Sequence, residues 1–157
     1  MDAAGRPEPI DPESRGDISV RGFWKKGTTD VFDVRITDTD QPSYLSQTPA
    51  KVLAKQEKEK KDKYLEPCLA GRRQFTPLVF SVDGMPGAEA LAAMKRLASS
   101  LATKWKQEYS AVSGYVRSRL MLAVLRGSNL CLRGPRGDPR PPTHHVPWEG
   151  GSGLRLY

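Results

Sequence analysis

Cysteine is nearly absent from this chain: Cys68 and Cys131 are the two in 157 residues, and no Cys-x-x-Cys pair occurs. That excludes a zinc ribbon within the chain, because four closely spaced ligands are needed. Two such thiols read as buried and reduced rather than as a disulfide. Long apolar runs are also missing, and no stretch approaches the roughly 18 apolar residues that a spanning helix requires. The opening run MDAAGRPEPIDPESRGD is acidic and proline-rich. Without an apolar segment it does not read as a secretory signal, so the expectation is an intracellular, reducing compartment and no membrane partner. Histidine is confined to the pair His144-His145. With no other ligand type nearby, that pair reads as coincidence rather than as a metal site.

Proline and glycine are abundant, at 13 and 14, while hydrophobic residues make up 38%. Such a balance fits one compact unit with polar ends. Residues 1–15 carry three prolines and scattered charge and read as a disordered lead-in. Residues 16–133 hold the periodic segments and read as one α/β domain. Residues 134–157 (GPRGDPRPPTHHVPWEGGSGLRLY) have no periodicity and read as a disordered tail. The net charge of +7, with a pI near 9.6, favours an anionic partner such as DNA or RNA.

Within 16–133 the pattern predicts a hairpin, a helix, a strand and two helices. Asp17–Trp24 alternates as a strand with Ile18, Val20 and Trp24 on one face. Residues 25–29 make a glycine-containing turn, and Asp30–Thr37 is the second strand of an antiparallel pair. On that strand Phe32, Val34 and Ile36 face one way, and Val31, Asp33, Arg35 and Thr37 the other. Thr48 offers an N-cap and Pro49 a first helical position, so a helix is expected over Pro49–Leu69, kinked or ended a turn early by Pro67. Leu53, Lys60, Tyr64 and Cys68 share one stripe of that helix. A third strand is expected at Phe75–Val82. A turn over residues 83–87 leads into helices at Ala88–Gln107 and Ser110–Arg126. Leu91, Met94, Leu97, Ala98, Leu101 and Trp105 mark the apolar stripe of the first of these. Trp24, Trp105 and Tyr115 read as core aromatics.

The hairpin carries the chemistry. Asp17 stands at the start of the first strand, and Asp33 and Arg35, two apart, leave one face of the second. Acids converging from adjacent strands can hold a hard divalent cation through oxygen, which would activate water against a phosphodiester. Strand-end aspartates are usually turn formers, and an exposed strand arginine is usually solvated. Asp33 is the exception, since aspartate is disfavoured in a strand interior; an edge-strand charge that blocks aggregation is the competing explanation. Asp83 reads first as a turn residue. Arg117, Arg119, Arg126, Arg133 and Arg136 make the C-terminal third basic. They are candidates for phosphate contacts that read no sequence, with a plain surface scatter as the alternative.

Four runs in order, GDISVRGFW, DVFDVRITDTDQPSY, PAKVLAKQEKEKKDKYL and FTPLVFSVDGMPGAEA, resemble the segment at the C-terminus of non-LTR retroelement reverse-transcriptase polyproteins. That segment is similar to restriction-endonuclease-like domains of the PD-(D/E)XK type. The resemblance spans roughly residues 15–133. It implies a small mixed sheet packed by helices in an α-β-β-β-α-β order, of which the first helix and strand have no counterpart here. It also implies a Mg²⁺-dependent DNA endonuclease acting beside an upstream reverse transcriptase, and hence a nuclear location. Asp17 then matches the first metal-binding acid, with Gly16 where the pattern has proline, and Asp33 matches the second. Arg35 stands in place of the lysine and cannot act as a base; Lys60 or Lys63, ahead of Tyr64, would supply that cation from the helix. Beside an active nuclease stand two other readings: a non-catalytic nucleic-acid-binding module, and a decayed retroelement fragment.

Overall fold

The computed structural model describes residues 16–133 as a three-stranded mixed sheet and three helices. The elements are β1 (Ile18–Arg21), β2 (Thr29–Thr37), α1 (Pro49–Ala70), β3 (Arg73–Ser81), α2 (Ala88–Trp105) and α3 (Tyr109–Arg133). β2 is central. It pairs antiparallel with β1, Ile18 opposite Phe32, and parallel with β3, Val31 opposite Phe75. α1 makes the crossover between the parallel strands. The expected lead-in, the tail, His144-His145 and Arg136 lie outside the described residues.

β1 is half its expected length. Gly22 takes φ +79°, a conformation costly to other residues, and the chain leaves the ladder there. Phe23 and Trp24 then give their backbone N–H groups to Asp30 Oδ2, at 2.9 and 3.2 Å. A buried side chain thus replaces the strand partner. Trp24 is accordingly off the strand, with its indole N–H donated to Thr76 Oγ1 at 2.9 Å. Ile18 and Val20, which share one face of the strand, are exposed.

α1 runs through Pro67 to Ala70 without stopping. Only the last turn meets the proline, so a single interior hydrogen bond is forfeited. Thr48 occupies the N-cap position, but its side chain makes no capping bond. The buried stripe of α1 comprises Val52, Leu53, Gln56, Glu57 and Cys68, apolar at both ends and polar between.

The sheet has two different faces. On one, Val31 and Phe75 pack with Cys68, Tyr64 and Leu65 of α1. On the other, Phe80 packs with Ala90, Met94 and Ala98 of α2 and Val112 and Val116 of α3. α3 continues past Arg126 through Gly127 and Ser128, where a stop was expected. A helical glycine costs about 1 kcal/mol rather than terminating a helix. Trp105 and Tyr115 are not core residues: both are exposed and stack edge to face on each other, centroids 5.8 Å apart. Leu91 is exposed as well.

Candidate functional site

Asp33 is buried on the central strand and points to the α1 side, as its odd register with Val31 requires. Because β2 is central, the edge-strand explanation for this acid fails. Its partner comes from the polar middle of α1. Lys60 Nζ lies 2.7 Å from Asp33 Oδ2, and both side chains are largely shielded, at 19% and 12% exposure. Oδ2 receives no aligned hydrogen bond, so the contact is an ion pair rather than a directed bond. The same ammonium stands 5.3 Å from the Tyr64 ring centroid, and Lys63 Nζ 5.0 Å from it.

Asp17 lies one residue outside β1 and is exposed. Continuing the hairpin register past Ile18–Phe32 sets Asp17 beside Asp33. There its Oδ2 accepts the Val34 N–H at 2.7 Å, in place of the next rung of the ladder. Gly16 fits closely: a Cβ would stand 2.3 Å from Val31 Cγ1 and 2.9 Å from the Phe32 carbonyl. That contact explains why glycine, rather than a residue with a side chain, precedes the acid. Arg35 shares the face of Asp33 but turns to Glu59, 3.4 Å away. So Lys60 meets Asp33 from α1, the hairpin register sets Asp17 next along the ladder on the Val34 N–H, and Arg35 is engaged elsewhere.

Among the described residues no group of three or more His, Cys, Asp or Glu side chains is arranged to hold a metal ion. Two carboxylates are what the site offers. Mg²⁺ can be bound through one or two protein carboxylates with waters completing its shell; here the Val34 N–H holds one oxygen of Asp17 and Lys60 one of Asp33.

The arginines of α3 lie elsewhere. Arg117, Arg119 and Arg126 are exposed, but α3 packs on the sheet face opposite Asp33. The Arg133 side chain lies outside the described residues. Asp83 is a turn residue, held by the Ser81 hydroxyl. No helix among the described residues is long and apolar enough to cross a membrane.

Sequence reasoning missed Gln56 and Glu57. Gln56 is buried, with its Nε2 3.4 Å from the Tyr44 hydroxyl and its Oε1 unpaired. Glu57 Oε1 accepts the Glu89 N–H at 2.9 Å and so caps α2, whose N-cap position is Gly87. Burial raises the Glu57 carboxyl above its ordinary range, against the lowering effect of that hydrogen bond. The signal was present: Leu53, Gln56, Glu57, Lys60 and Tyr64 follow the i, i+3, i+4 spacing of one helix face. The chain matches no family model, and neither a curated protein nor a solved structure was found that is similar to it.

Proposed function

We propose that this chain is a restriction-endonuclease-like domain of retroelement origin that hydrolyses DNA phosphodiesters. The supporting observation is the Lys60–Asp33 ion pair: a buried acid in mid-strand, faced by a lysine from the crossover helix, with Asp17 next in the hairpin register. The hairpin, helix and parallel strand also follow the last four elements of the expected order.

In this reading Asp17 and Asp33 hold Mg²⁺, which when bound polarises the phosphate and lowers the pKa of an attacking water. Asp17 keeps one oxygen on the Val34 N–H, which fixes the carboxylate beside the strand. Lys60 offsets the buried charge of Asp33 in the free protein. With DNA bound, its ammonium stabilises charge developing on the phosphate. Lys63, one turn further along α1, attracts the DNA backbone.

The test is Mg²⁺-dependent nicking of supercoiled plasmid by the full chain, beside Asp33→Ala and Lys60→Ala. Activity is expected from the wild type and a loss of at least ~100-fold in each variant, the order of a lost transition-state donor. Equal cleavage by Asp33→Ala would refute the assignment. A second reading, a nucleic-acid-binding module without chemistry, is favoured by the closure of Lys60 onto the acid that would hold the metal. Salt-sensitive DNA binding with no nicking by any variant would establish it.

A further inference from the structure

The sheet face opposite Asp33 is only half covered. α2 packs over β3, and beside it a groove of about 1020 Å³ opens between α2, the second half of α3 and the strands β1 and β2. Its floor includes Ile18, Val20, Val34 and Ile36, exposed by 36–46%. Its α3 wall ends in Gly127, Ser128 and Cys131. Four β-branched side chains side by side on a solvent-facing sheet are an unusual apolar patch.

We infer that the chain's own C-terminal segment, residues 146–157, docks in this groove. Three observations choose that occupant. First, the chain leaves α3 at the groove wall, two residues after Cys131. Residues 134–145 can span up to about 40 Å when extended, enough to turn back across the floor. Second, residues 146–157 carry Val146, Trp148, Leu154, Leu156 and Tyr157, whereas Met1 and Ile10 are the large apolar residues of the other end, 1–15. Third, the charge between the paired leucines agrees, while Glu149 lies six residues away and leaves the side chains of the segment neutral in sum. The one charged residue lining the groove is Asp38, and Arg155 lies between Leu154 and Leu156. Residues 1–15 hold four acids against two arginines and would be repelled. In an extended segment Leu154 and Leu156 share one face and enter the groove together. The inference does not depend on chemistry at Asp33, which lies on the other side of the sheet.

Hydrogen exchange on the full chain, followed peptide by peptide, tests it. Peptides from 146–157 are expected to exchange at least ~10-fold more slowly than the free peptide. Ile36→Asp should remove that protection while α2 keeps its own. Exchange at the free-peptide rate in the wild type overturns the inference. So does protection that grows with protein concentration, which would assign the groove to a second copy. Where Ile36→Asp also loosens α2, Trp148→Ala decides, because it leaves the described domain untouched. It should raise exchange in β2 and the binding of an apolar dye, and an unchanged response overturns the proposal.

Discussion

At the scale of single residues, the Asp33–Lys60 pair sets stability against function. An ion pair this shielded contributes little net stability, because desolvation offsets attraction, yet removing one partner strands the other charge. Lys60→Met alone should therefore destabilise the fold by about 3 kcal/mol, at the low end for such breaks since the pair keeps some contact with water. The double change Asp33→Leu with Lys60→Met should recover most of that loss, or exceed the wild type, while abolishing any nicking. Urea unfolding of the single and double variants measures this. A double variant as unstable as the sum of the singles would mean the two side chains are not coupled. Glu57 gives a second prediction at this scale. Its carboxyl is raised in the folded state by burial, so between the ordinary value of 4.5 and the raised one the folded protein binds more protons than the unfolded chain. The contribution of this group to stability is then full below the ordinary value and is lost as pH rises through the raised one. Glu57→Gln, which can still accept the Glu89 N–H, should be more stable than wild type at neutral pH. Thermal unfolding of both across pH 4 to 8 should show that advantage closing as the pH falls. An advantage that widened toward acid would refute the raised value.

At the scale of elements, close approaches at two glycines hold the hairpin and α2 in place. Ala at Gly16 would drive a Cβ into Val31 and the Phe32 carbonyl, and backbone cannot yield as a side chain can. Ala at Gly87 would meet Glu57 Oε1 at 2.2 Å, displacing the group that caps α2. Gly87→Ala should cost about 1 kcal/mol, the value of a lost cap, and in a Glu57→Ala background it should cost much less. A full penalty in that background would show that Glu57 is not responsible and would leave the Val79 carbonyl, 3.3 Å from the added Cβ, as the cause. The helices were legible in the sequence because their apolar stripes recur at helical spacing over many residues. β1 was not, because its end is set by a contact across the hairpin, Asp30 with the Phe23 and Trp24 amides, which no local pattern records. Pro67 misled for a similar reason: its penalty depends on how many turns follow it. The site was legible in part. Asp33 stood out as an ill-suited strand residue, and Lys60 as the one of two candidate lysines that shares a stripe with Leu53, Tyr64 and Cys68. The Arg35–Glu59 pairing depends on how α1 lies against β2, and that is a tertiary fact.

At the scale of the molecule, the two sheet faces divide the basic residues. Lys60 and Lys63 belong to α1, on the side of Asp33, while Arg117, Arg119 and Arg126 belong to α3, on the other. At physiological salt, fields between exposed charges are screened beyond about 8 Å, so a duplex seated at Asp33 gains little from α3. Binding of a short duplex should weaken with salt, the logarithmic slope reporting the phosphates neutralised. Lys63→Ala should then reduce that slope by about 1. The triple change Arg117→Ala, Arg119→Ala and Arg126→Ala should leave it within about 0.5, since none of the three replaces a counterion at the seated duplex. Fluorescence anisotropy over a range of salt concentrations, with divalent cations chelated, measures both. If the triple change lowers the slope by nearly 3 and Lys63→Ala does nothing, DNA rides on the α3 face. The acid and lysine behind the sheet would then be a structural pair, and the nuclease assignment would fall with them.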